Sequence, residues 1–264
     1  MPILPIDDPA DSRIADYCNV PDPELIERDG IFIAEGRLVV RRLLTGGRLG
    51  VRSVMVTEAA LASLRDVLDP PLQDVYLVSQ AVMNAITGFN MHRGCLAIGE
   101  RPPLGRWREL VASARRLVAI ERVANADNVG SIFRNAAAFG VDAVLLGPGC
   151  TDPLYRKAIR TSMGAALAVP FAHADPWPSS LTALREMGFA VVALTPDADA
   201  MPLPEFGRAV AGRRIALVAG HEGEGLTADV LAACEHHARI PMATGVDSLN
   251  VATALAIAVY ELDR

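Results

Sequence analysis

The carboxyl-terminal half of the chain alternates unbroken apolar runs with stretches of helical spacing. The apolar runs fall at residues 117–123, 142–147, 189–195, 214–220 and 237–242. Runs of Val, Ile, Leu and Ala this long, with no polar alternation, predict strands buried on both faces of a parallel sheet. Between them, residues 129–139, 177–187, 227–234 and 249–262 have helical composition and spacing. Strand and helix in alternation predict an open α/β sheet. Such sheets bind ligands beyond the carboxyl ends of their strands.

The amino-terminal part patterns differently. Short strands are expected at 31–33, 53–58, 75–79 and 94–100, and helices at 35–44, 59–68 and 80–88. Together they read as a small α/β layer. Paired prolines, two glycines and several charges near residues 100–116 read as a linker followed by a helix start. The expected division is therefore 1–100, a linker 101–116, and 117–264.

Composition adds a few bounds. Of 264 residues 51% are hydrophobic and 21% charged, which suits a folded globular chain. The net charge of -6 does not advertise a nucleic-acid binder, so an RNA partner would need a local basic patch. One candidate exists. Between residues 30 and 65, Arg37, Arg41, Arg42, Arg48, Arg52 and Arg65 face only Glu35 and Glu58. A solvated helix face is the plainer reading of the same residues. Cys18, Cys95, Cys150 and Cys234 lie far apart, which argues against a zinc site or a disulfide scaffold and for a reduced, cytoplasmic setting. His236 and His237 are adjacent and point apart, while His92 and His173 are isolated, so no metal is expected. The acidic, proline-punctuated start lacks a signal-peptide pattern, and no run approaches the ~20 apolar residues of a membrane helix.

Three segments carry candidate chemistry, each following an expected strand. In the first, Asn125, Asp127 and Asn128 suit a turn and helix cap, and Arg134 sits on the first or second turn of an otherwise apolar helix. It is either half of an ion pair or an anion contact. In the second, Glu222 lies between Gly220 and Gly223, in a turn that lacks the Lys-Ser/Thr pair of a phosphate loop. A helix cap ahead of Thr227 would explain that turn equally. In the third, Ser248 is the expected cap of the last helix, and Asn250 lies one turn inside it on an apolar background.

Taken together, the segments resemble the three motifs of the SpoU (TrmH) methyltransferases of the SPOUT superfamily. The first match is Asn128, Gly130, Ser131, Ile132, Arg134, Asn135, Ala136, Ala138, Phe139 and Gly140. The second is Gly220, Glu222, Gly225 and Leu226, with His221 where the family commonly has asparagine. The third is Ile240, Pro241, Met242, Ser248, Leu249, Asn250, Val251, Ala252 and Ala254. Residues 160–165 resemble a further family segment.

The resemblance implies an α/β trefoil-knot domain with a parallel sheet, preceded by a small α/β substrate-binding domain. It implies S-adenosylmethionine as cofactor, held by Thr195, Pro196, Gly220, His221, Ile240, Met242 and Leu249. It implies Arg134, Asn128, Glu222, Ser248 and Asn250 as the catalytic set, a homodimer, and an RNA ribose 2′-hydroxyl as acceptor in rRNA or tRNA. Arg37, Arg41, Arg42 and Arg48 are the expected RNA contacts. Two alternatives stay open: a non-catalytic RNA-binding protein that keeps the fold, and a base-directed RNA methyltransferase.

Overall fold

The computed structural model describes residues 3–18, 21–68, 73–88, 91, 94–103 and 106–262; His92 lies outside them. The first elements are β1 (Ile3–Ile6), α1 (Asp22–Asp29), β2 (Ile31–Glu35), α2 (Arg37–Gly46), β3 (Gly50–Val56), α3 (Glu58–Leu68), β4 (Asp74–Val78), α4 (Gln80–Thr87) and β5 (Cys95–Glu100). Next come α5 (Trp107–Val111), β6 (Arg116–Ile120), α6 (Ala126–Ala138), β7 (Ala143–Leu146), α7 (Arg156–Thr161), β8 (Phe171–His173), α8 (Ser179–Glu186) and β9 (Phe189–Leu194). The chain continues through β10 (Met201–Pro202), α9 (Leu203–Ala209), β11 (Arg214–Ala219), α10 (Ala228–Ala233), β12 (His236–Arg239) and α11 (Val251–Leu262).

These elements form two units. Unit 1 holds Met1–Pro103 together with Leu154–Ala168; unit 2 holds Leu104–Pro153 and Val169–Arg264. The first break falls inside the stretch read as a linker. The return of residues 154–168 to unit 1 had no counterpart in the sequence reading.

Unit 2 is built on a parallel sheet ordered β10-β12-β9-β11-β6-β7-β8. Its central strands β9, β11, β6 and β7 are apolar on both faces, and both faces are covered. Leu117, Ala119, Leu145, Val191, Ala193, Ala216 and Val218 share a core with Trp107 and Val111 of α5, Leu181 and Leu184 of α8, and Val230 of α10. The alternate residues Val118, Ile120, Val144, Leu146, Val192 and Leu217 are also buried. On that half of the unit α11 packs against α6, α9 and β11. Helix α6 begins three residues earlier than its apolar spacing suggests, because the Asn125 side chain caps it by accepting from Asp127 N at 2.9 Å. Strand β12 stops at Arg239, so Ile240, Pro241 and Met242 are loop, not strand.

Unit 1 is a mixed sheet ordered β1-β4-β3-β5-β2, antiparallel only where β5 meets β3 and β2. Ile33, Met55, Tyr76, Leu96 and Ile98 line its core with Ile14, Tyr17, Leu25 and Met83. Helix α7 belongs here: Ala158 and Ile159 are fully buried, and Arg156 donates from its backbone N and its Nε to Asp22 at 2.9 and 2.6 Å.

Candidate functional site

Three adjacent strands of unit 2, in the order β12-β9-β11, end together, and a cavity of about 480 Å³ opens at their carboxyl ends. The segments following those strands line it. All seven residues expected to hold a cofactor are there: Thr195, Pro196, Gly220, His221, Ile240, Met242 and Leu249. Glu222 and Ser248 line it as well. Asn128, Arg134 and Asn250 are not among the lining residues. Among the described residues the wall carries the carboxylates of Glu222, Glu224 and Asp247 and no lysine or arginine.

The turn from Gly220 to Leu226 is tightly built. A Cβ on Gly220 would lie 2.5 Å from the Gly225 carbonyl oxygen and 2.8 Å from Leu226 N, so only glycine fits. Gly225 has φ +70°, a left-handed conformation that glycine adopts freely. Its N–H donates to His221 O at 2.9 Å. The His221 ring closes the turn from the inside: Nδ1 accepts from Gly223 N at 3.0 Å and Glu224 N at 3.1 Å. An asparagine oxygen makes the same kind of contact in an Asx turn, so the one departure from the family pattern keeps the bonding role. It also fixes the neutral ring as the Nε2–H tautomer. Glu224 pairs with Arg122, and that guanidinium holds the carboxyl below its ordinary range.

The polar residues of the first and third segments meet the second at Asn250. Its Nδ2 donates to Asn128 Oδ1 at 2.9 Å and to Glu222 Oε1 at 2.6 Å. Its Oδ1 accepts from Ala252 N and Thr253 N at 3.0 and 3.2 Å. Asn250, not Ser248, therefore caps the last helix, and it stands ahead of α11 and not one turn inside. Ser248 is exposed in the loop before it and makes no hydrogen bond to a described residue. Asn128 is 7% exposed, so its oxygen depends on this one donor.

Arg134 sits on the third turn of α6, not the first or second. It is exposed and has no hydrogen bond or ion pair to a described residue. The structural ion pair allowed by the sequence is thus not formed among the described residues.

The four arginines of unit 1 are placed less freely than their sequence suggests. Arg41 binds Asp66, one residue beyond the span in which charges were weighed, and donates to Ser63 O at 2.7 Å. Arg42 donates to Met163 O at 2.8 Å and Arg48 to Leu167 O at 3.1 Å, so both fasten the returning segment. Arg37 is exposed on the first turn of α2.

Sequence reasoning passed over Glu121. It follows β6 directly and is 2% exposed. Its carboxylate accepts from Trp177 Nε1 at 3.0 Å, Thr227 N at 3.0 Å and Thr227 Oγ1 at 3.1 Å. An acidic residue closing an unbroken apolar strand was the signal available. Among the described residues no group of three or more His, Cys, Asp and Glu side chains is placed to hold a metal ion, and no helix is long and apolar enough to cross a membrane.

Comparison with known proteins matches residues 115–260 to the SpoU rRNA Methylase family. An uncharacterized tRNA/rRNA methyltransferase of Mycobacterium tuberculosis (strain H37Rv) is 46% identical over 97% of this chain and 90% of its own length. A 23S rRNA (guanosine(2553)-2′-O)-methyltransferase of Bacillus subtilis (strain 168) is 27% identical over 97% of this chain and 98% of its own. The AdoMet-bound rRNA methyltransferase of Sinorhizobium meliloti superposes with a TM-score of 0.85 at 24% identity, covering 99% of this chain and 98% of that one.

Proposed function

The chain belongs to the SpoU rRNA methylase family, and we propose that it transfers a methyl group from S-adenosylmethionine to a ribose 2′-hydroxyl of rRNA or tRNA. One observation carries the reading. Seven residues from three separated segments, each at the end of a parallel strand, line one cavity. Its chemistry suits this cofactor. S-adenosylmethionine is a sulfonium cation without phosphates, and among the described residues the cavity offers three carboxylates, a glycine-rich backbone and no lysine or arginine. The B. subtilis relative, named as a 2′-O-methyltransferase over nearly its full length, supports the ribose as acceptor.

Bound there, S-adenosylmethionine supplies a methyl group already activated by its own positive charge. The chain's residues have the remaining tasks. Leu249, Ile240 and Met242 give apolar walls, and the bonded turn at His221 presents backbone groups without further ordering. Asn250 holds Glu222 and Asn128 in fixed positions. A 2′-hydroxyl is a poor nucleophile: as the O–CH3 bond forms and the S–CH3 bond breaks its O–H bond must also break, the proton passing to water, and the developing alkoxide needs a cation nearby. Arg134 fits that task, since a guanidinium stays protonated and binds phosphate and alkoxide oxygens alike.

Arg134 does not line the cavity of its own chain, so the reading includes a homodimer that completes the site. Exposed Ile257 and Tyr260 on α11, the latter against Phe139 at the end of the helix that carries Arg134, support an apolar contact between two copies. The proposal also includes a trefoil knot in unit 2, RNA binding by unit 1 with the exposed Arg37 among its contacts, and action in the cytoplasm.

The test is labelled S-adenosylmethionine with RNA from host cells lacking the gene, followed by mapping of the label. A 2′-O-methyl nucleotide at one position is expected. Label on a base would overturn the ribose assignment, and no label on RNA or intact ribosomes would overturn the transfer.

A further inference from the structure

We propose that Glu121 is a positioning residue for the cofactor turn: its buried carboxylate sets where the Gly220–Leu226 segment ends and so the width of the cavity. The inference rests on the cofactor reading above. Glu121 lies at the carboxyl end of β6, next to β11, and its own N–H donates to Ala219 O at 3.0 Å. Ala219 is where the turn begins. Thr227, which the carboxylate grips through both N–H and hydroxyl, is where the turn ends. One residue therefore binds the chain immediately before and immediately after the segment that lines the cavity. Its neighbour Arg122 adds a third hold, the ion pair to Glu224 inside the turn.

The carboxylate is chemically required. Among the described residues it has no ion pair, and burying a charge with hydrogen bonds alone is costly. Two of the three groups that face it, the Thr227 N–H and the indole N–H of Trp177, can only donate. They lie on different oxygens, Oε2 and Oε1. A glutamine amide offers one acceptor and one donor group, so either orientation sets an N–H against an N–H. Only a group with two acceptor oxygens satisfies both.

Three variants and two readouts test this. The variants are Glu121→Gln, Thr227→Val and Glu121→Asp; the readouts are calorimetric binding of S-adenosylmethionine and amide hydrogen exchange across residues 219–227 without ligand. Glu121→Gln should weaken binding about tenfold, from one buried donor left unmatched, and speed exchange in the turn. RNA affinity should stay unchanged. Thr227→Val removes only the hydroxyl bond and should fall between Glu121→Gln and the unsubstituted protein. Glu121→Asp, which keeps both oxygens, should recover part of the loss. Unchanged affinity and unchanged exchange in Glu121→Gln overturn the proposal. Should that variant fail to fold, unchanged values in Thr227→Val overturn it instead. If the unsubstituted protein binds no S-adenosylmethionine, the cofactor reading fails, while exchange still decides whether Glu121 sets the turn.

Discussion

Asn250 joins three segments, so its removal has separable costs. Asn250→Ala deletes the cap of α11, worth about 1 kcal/mol. It also strands the buried Asn128 oxygen, worth about 1–3 kcal/mol. The bond to Glu222 adds little, because that carboxylate is exposed. The sum is about 2–4 kcal/mol. For a unit of this size that lowers the unfolding temperature by about 5–15 °C. Asn250→Ser separates the terms: serine caps as well as asparagine but is too short to reach Asn128. It should lose only the second term. In an Asn128→Ala background the serine change should cost almost nothing, because the pair is already broken. Differential scanning calorimetry of the five proteins (unsubstituted, the three single variants and the double), following the unit 2 transition, reads these values. An Asn250→Ser protein unfolding within 1 °C of the unsubstituted one, or losing equally in both backgrounds, would refute the reasoning.

Three further outcomes are expected. Arg134→Ala should leave the unfolding temperature within about 1 °C, because the side chain is exposed and makes no bond to a described residue, while methyl transfer falls at least ~100-fold; retained transfer would remove it from the catalytic set. His221→Asn should keep S-adenosylmethionine affinity within about threefold, since the amide oxygen replaces Nδ1 as acceptor, whereas His221→Ala should weaken it about tenfold in calorimetry; equal affinities would show that the ring bonds do not shape the turn. Burial pushes the Cys150 thiol up to about 11 and Cys234 up to about 12. Both stay protonated in the folded protein at pH 8 and should resist iodoacetamide until the chain is unfolded. The unfolded chain releases those protons first, so stability falls as pH rises above about 9. Rapid labelling of the folded protein, read by mass spectrometry, would contradict this.

Strands β6, β7, β9 and β11 were legible because each is buried on both faces, which leaves an unbroken apolar run, whereas the short β8 and β10 were not read. Strand β1 was not, because Ile3–Ile6 is interrupted by Pro5 and pairs only with β4 at the sheet edge. Helix α7 was hidden for a different reason: four of its six residues are polar, and its apolar pair is buried by partners more than a hundred positions earlier in the chain. Most of the residues lining the cavity were readable from the second and third motifs, since the topology had only to bring three strand ends together. The cap of α11 was misplaced because serine and asparagine cap helices equally well and Leu249 extends the apolar pattern beyond the helix. The basic patch was overstated by its own window. Asp66 lies just outside it, and the partners of Arg42 and Arg48 are carbonyls 121 and 119 positions away.

The return of residues 154–168 to unit 1 has a consequence for how the protein can be divided. No single cut separates the units. A fragment starting at residue 104 would carry Ala158, Ile159, Ala165 and Ala166 without the sheet that covers them, and an amino-terminal fragment would keep Arg42 and Arg48 without the carbonyls they hold. The amino-terminal unit is no detachable cassette, and clean excision needs two junctions, with a short bridge in place of the segment between Pro153 and Val169.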